Sequence, residues 1–168
     1  ASADLKPVMA FVKSQEGGYS NNPQDPGHET QMGVTLATFR HWHKDDNLTA
    51  ADLRAITDDD WMALMAAGYY FSVRAQDLPA GVSLSVTDMA VNAGPRTSVM
   101  LLQRVLGVAA DGLVGPVTLA AARLAGRPLI EALSKAQAAY YQSLTQFSVF
   151  GKGWLARTDR RTAAALVA

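Results

Sequence analysis

The chain has 168 residues, 49% hydrophobic and 18% charged, which fits one domain, or one domain with a small appended lobe, and excludes intrinsic disorder. It has no cysteine, which excludes a disulfide scaffold, thiol catalysis and Cys-based zinc sites. Net charge is zero, yet residues 1–92 carry 12 acidic and 6 basic side chains (net −6) and residues 93–168 carry 3 and 9 (net +6), so the second half suits an anionic partner unless the imbalance is a chance feature of the surface.

The opening Ala1-Ser2-Ala3-Asp4 lacks the basic start and apolar stretch of a signal peptide. No run of about 18 apolar residues follows anywhere, so no membrane-spanning helix and no stable membrane insertion are expected. Val8, Phe11, Val12 and Gln15 keep helical spacing, with Pro7 acceptable in the first turn, and Gly17-Gly18 should end that helix. Residues 17–34 break the pattern. Asn22-Pro23 and Asp25-Pro26-Gly27 are turn chemistry, so a long functional loop or a minimal β-hairpin at about 18–34 is expected.

Thr35 is a plausible N-cap for a helix from Leu36 to about Lys44. Thr57 with Asp60 resembles a capping box that opens a helix running to about Phe71. Another helix spans 82–92 and stops at Ala93-Gly94-Pro95. That point coincides with the change in charge sign, and we read it as the boundary between a region 1–93 and a helical region 94–168, the two packed as one compact unit. Helices near 96–106, 116–125, 128–147 and from about 153 complete an all-α reading.

Glu16 continues the apolar stripe of the first helix at its last turn. Partial burial and the negative end of the helix dipole would both favour a protonated carboxyl, the form a general acid requires. The plainer alternative is a solvated helix-end glutamate. Asp25, Glu29 and Thr30 follow within fourteen residues. A protonated acid facing an ionised carboxylate across a cleft is the arrangement of glycoside hydrolysis, although Asp25 before Pro-Gly also suits a simple turn. His28, Asp25 and Glu29 match no standard metal loop, so no metal and no cofactor are expected. His41 and His43 do not share a helix face and read as surface or rim residues.

The run Glu16-Gly17-Gly18-Tyr19-Ser20-Asn21-Asn22-Pro23-Gln24-Asp25-Pro26-Gly27-His28-Glu29-Thr30-Gln31-Met32-Gly33-Val34-Thr35 resembles the signature of glycoside hydrolase family 108, lysozyme-like N-acetylmuramidases of phage endolysins and bacterial secretion or release systems. Asp88-Met89-Ala90-Val91-Asn92-Ala93-Gly94-Pro95 resembles a second segment of that family. Leu102-Gln103, Leu106-Gly107, Asp111-Gly112, Gly115-Pro116 and Thr118 resemble its C-terminal peptidoglycan-binding region, and Phe150-Gly151-Lys152-Gly153-Trp154-Leu155 with Arg157 resembles its closing motif. His28 departs from the pattern, standing where glycine is usual.

The resemblance implies a lysozyme-like fold. It also implies hydrolysis of the β-1,4 bond between N-acetylmuramic acid and N-acetylglucosamine. Glu16 falls on the catalytic acid, and Asp25 and Thr30 on the residues that position the attacking water. Such an enzyme is made in the cytoplasm and acts in the periplasm or on the cell wall, and a monomer is expected. Tyr19, Tyr70 and Asn92 are candidates for holding sugars, since rings stack on sugar faces and N-acetyl groups need paired donors. Core packing competes for Tyr70 and helix capping for Asn92, while Trp154 reads as core. Two rivals are weighed: a lytic transglycosylase, which needs no water-positioning carboxylate, and a non-catalytic peptidoglycan-binding module. Nucleic-acid binding is not expected, because the arginines of the basic half are scattered without aromatic interleaving.

Overall fold

The structure, a computed structural model, describes residues 5–21, 29–144 and 147–168. The described residues form nine α-helices and one small antiparallel sheet. Helix α1 (Leu5–Gln15) leads into β1 (Tyr19–Asn21), β2 (Glu29–Gln31) and β3 (Val34–Thr35), in the order β1-β2-β3. Tyr19 pairs with Gln31 across the first ladder and Gln31 with Val34 across the second. That second register leaves a two-residue turn, Met32-Gly33, with φ of 48° and 83°. A two-residue hairpin that matches the strand twist needs positive φ at both positions. A non-glycine residue there costs about 1–2 kcal/mol. The Met32 carbonyl is held by the indole N–H of Trp61 at 2.9 Å, and Trp61 is fully buried. The sheet turn is thereby nailed to the helix below it.

Thr35 caps α2 (Leu36–His43) as expected, its hydroxyl accepting from the Thr38 N–H at 3.1 Å. A short α3 (Ala50–Arg54), not anticipated from the sequence, starts with a complete capping box between Thr49 and Asp52. Helix α4 (Asp58–Met65) is capped by Thr57 and does not continue regularly to Phe71. Residues Ala66–Phe71 form a π-helix, followed by a 3-10 turn at Ala75–Asp77.

Helix α5 (Val82–Ala93) is the axis of the molecule. Every residue from Val82 to Ala90 is buried, which requires neighbours on all sides. They are α1, the π-helix, the 3-10 turn, α6 (Pro95–Leu106), α8 (Pro128–Gln142) and α9 (Phe147–Leu166), with α7 (Pro116–Ala125) against α6 and α8. Helix α9 begins six residues before the expected start at 153 and α8 ends five before 147. The glycines at 151 and 153 look like a helix terminus in sequence. Gly151 is instead a packing residue, since a Cβ there would lie 2.4 Å from the Phe147 ring. Trp154 packs its ring 5.3 Å from that of Tyr141, in a small cluster with Met89 and Leu101.

Candidate active site

Glu16 extends the last turn of α1, its N–H donating to the Val12 carbonyl at 3.1 Å. Its side chain is only 14% exposed. The helix-end position and partial burial agree with expectation. The neighbour on one side was not foreseen: Arg157 of α9 donates from Nη1 to Oε1 at 2.7 Å. The carboxyl is therefore held as the acceptor of a charge-assisted hydrogen bond, and is not a lone acid in an apolar slot. On the other side lies Gly33, whose missing Cβ would fall 2.6 Å from Oε2. One oxygen is clamped by a guanidinium and the other lies over bare backbone.

Arg157 is itself held. Its Nε and Nη2 donate to Oδ1 of Asp88 on α5 at 3.0 and 2.7 Å. Burial acts to lower the pKa of this guanidinium, but Asp88 and then Glu16 outweigh it, and the value lies above the ordinary one. Asp88 is 1% exposed and faces a second cation, Arg161, at 3.9 Å from Oδ2. Arg161 is fully buried, and burial pulls its pKa down, against smaller opposing effects of Asp88 and Tyr141. Three elements thus converge: α5 supplies the anion, α9 two cations one turn apart, and α1 the outer carboxylate. Arg160 adds a second tie between α9 and α1, donating from Nε to Oε1 of Gln15 at 2.7 Å.

Asp25 and His28 lie outside the described residues. Thr30 is on the middle strand, opposite Ser20 and Thr35, two residues before the turn whose Gly33 abuts Glu16. Tyr19 opens β1. Asn92 is half-buried and donates from Nδ2 to the Tyr141 hydroxyl at 3.3 Å; the C-cap of α5 is Gly94. The Tyr141 hydroxyl is pushed above its usual pKa, chiefly by burial. Tyr70 is a correction: it is 0% exposed and part of the core, so its ring has no face for a sugar. Its neighbour Tyr69 is the half-buried ring, and its hydroxyl pKa is raised by burial and then by the charge of Glu16.

Arg157, Asp88, Gly33 and Tyr69 were given no role from sequence. A usable signal existed for Asp88. It is the sole charged residue in the stretch from Val82 to Ala93, and every other residue from Val82 to Val91 is apolar or hydroxylated; a buried carboxylate demands a cation.

A family model described as Glycosyl hydrolase 108 matches residues 9–94. One described as Predicted Peptidoglycan domain matches residues 97–159. No curated protein matches the chain. Among solved structures, the chain is similar to SagA of Brucella abortus at 39% identity and a TM-score of 0.90, over 99% of this chain and 96% of that one.

Proposed function

The chain belongs to the glycosyl hydrolase 108 family, with an all-α, lysozyme-like fold and a peptidoglycan domain on its C-terminal side, and from that premise we propose that it is an N-acetylmuramidase in which Glu16 is the general acid. A glycoside hydrolase acting on peptidoglycan must break an acetal. The bond in this reading is the β-1,4 link from N-acetylmuramic acid to N-acetylglucosamine. The observation that carries the assignment is the Glu16 carboxyl, nearly buried and clamped between Arg157 and Gly33.

Oε1 accepts from Arg157, so Oε2 is the oxygen that delivers the proton to the glycosidic oxygen. As that C–O bond breaks, the proton leaves Glu16 and the leaving sugar takes it as a hydroxyl. The carboxylate left behind finds a guanidinium already aligned at 2.7 Å, a preorganised partner for charge that develops during the reaction. Water oriented by Asp25 and Thr30 then adds its oxygen to the anomeric carbon and passes its proton to Asp25. Tyr19 and Asn92 remain candidates for holding sugars. The regions 1–93 and 94–168 would supply catalysis and wall binding within one monomer that acts on the cell wall. Among the described residues, no helix is long and apolar enough to cross a membrane.

The test is Glu16→Gln on purified sacculi. The expected outcome is a folded protein whose hydrolysis falls by at least about 10²–10⁴-fold, the usual worth of a positioned general acid. Retention of most of the activity would overturn the assignment. Mass spectrometry of the wild-type products should show reducing N-acetylmuramic acid ends. A 1,6-anhydro end would mean a lytic transglycosylase, and no soluble product would mean a binding module.

A further inference from the structure

A groove of about 420 Å³, within the size range of small-ligand sites, lies against the π-helix, which packs on α1, the helix that leads into Glu16. One wall comes from α2, with Thr38, His41 and Trp42. Gly68 and Tyr69 of the π-helix and Pro95 at the start of α6 also line the groove. Trp42 is 40% exposed, although a ring of that size is normally covered. Gly68 is exposed, and a Cβ there would meet open space. A π-turn inserted in a helix is energetically poor and recurs at functional sites. Here it is the element that carries both Gly68 and Tyr69 to the groove.

We infer that this groove is a glycan subsite, taking an uncharged N-acetylated pyranose of the same strand next to the bond at Glu16, with Trp42 as its stacking platform. The inference rests on the reading of the chain as a peptidoglycan glycosidase. A glycan strand continues on both sides of the bond that is cut, so the surface beyond the acid must accept further sugars. Tyr69 supplies the continuity: it lines the groove, it stands on the π-helix that packs against α1, the helix leading into Glu16, and the charge of Glu16 acts on its hydroxyl. The lining selects the occupant. No lysine, arginine, aspartate or glutamate is among its residues. A stem peptide bearing carboxylates and ammonium groups would meet no counter-charge, whereas a neutral sugar offers a C–H face to the indole and an N-acetyl group to Thr38 and His41.

The probe is a soluble, peptide-free glycan strand titrated into the Glu16→Gln protein. The indole N–H signals of Trp42, Trp61 and Trp154 are followed by NMR and assigned with Trp42→Phe. The expected result is a shift of the Trp42 signal, with Trp61, which is fully buried, unmoved. Gly68→Leu fills the groove without touching Glu16 and should abolish the shift. In the active protein, Trp42→Ala should raise KM on strands about tenfold with kcat nearly unchanged, and Trp42→Phe should recover most of it. A Trp42 signal that ignores the strand, a strand response that survives Gly68→Leu, or a response only to free stem peptide would each overturn the subsite. New reducing ends in the Glu16→Gln titration would instead overturn the acid assignment, and that readout is separate from the indole shifts.

Discussion

Gly33 sits directly against the carboxyl of Glu16, the proposed acid. It combines a φ of 83° with a Cβ position 2.6 Å from Oε2 of Glu16 and 2.8 Å from its Cδ. Gly33→Ala therefore meets two penalties. The left-handed backbone costs about 1 kcal/mol or more, and the new methyl pushes the carboxyl off its position. We expect a folded protein with a Tm lower by a few degrees and hydrolysis reduced by more than about tenfold, because an acid misplaced by 1 Å loses about that much or more. Wild-type activity in Gly33→Ala would show that Oε2 need not stay where it is. The position of Glu16 was legible in the sequence, since it continues a helical stripe into a glycine pair. Its partner was not, because Arg157 is 141 residues away along the chain and no local pattern encodes that pairing. The exchange of Tyr70 for Tyr69 has a different cause. In a regular helix Tyr69 would follow Met65 onto the buried face. The π-turn adds one residue to the turn, so Tyr70, five after Met65, is buried in its place.

At the scale of elements, α9 is docked by charge as well as by packing on α8 and α5. Asp88 is the shared anion of two guanidinium groups that are 10% and 1% exposed. Removing one partner of a buried ion pair costs about 3–5 kcal/mol, because the other charge is left uncompensated. Asp88→Ala strands the buried Arg161 and leaves Arg157 with Glu16 as its remaining anion, and should be the more damaging change. Arg157→Met removes one cation and leaves Asp88 with Arg161, so its cost should be smaller. Arg160→Ala, at an exposed contact with Gln15, should cost least. Urea unfolding of the three variants checks the order, and a Cm for Asp88→Ala equal to that of Arg160→Ala would refute it. The loop between α6 and α7 makes a pH-dependent contribution. The Asp111 carboxyl accepts from the Leu113 N–H at 2.9 Å and from Gln103 Nε2 at 2.8 Å, and its pKa is lowered first by the Leu113 bond and then by Gln103. A depressed carboxylate stabilises above its unfolded pKa, about 3.9, and the effect is lost as pH falls through the lower folded value. The Tm difference between wild type and Asp111→Asn should be full near neutrality and vanish in acid. A constant difference across that window would assign the effect to something other than the charge.

On the scale of the whole molecule, the sequence reading and the fold lead to different intuitions about modularity. Gly94-Pro95 looks like a boundary in composition and charge, and the two family models meet near it, one ending at 94 and the other starting at 97. The packing runs across that line. Helix α5 belongs to the first half, yet α6, α8 and α9 from the second half cover it, and the cation that holds Glu16 comes from the last helix. A chain cut after Gly94 would expose the buried side of α5, including Val86, Met89 and Ala90. It would also leave Asp88 without either arginine. At roughly 1.5–3 kcal/mol for each large apolar side chain uncovered, Val86 and Met89 alone bring the loss into the range of about 5–15 kcal/mol by which a domain is stable, and the stranded Asp88 carboxylate adds to it. The fragment should therefore lack a cooperative transition, while the full chain should unfold in one calorimetric step whose van't Hoff and calorimetric enthalpies agree. Two separable transitions, or a folded and active fragment 1–94, would mean that the wall-binding half is an independent module. A single transition would make the peptidoglycan region part of the scaffold of the proposed site, because Arg157, which holds the Glu16 carboxyl, is then in place only where that region is folded.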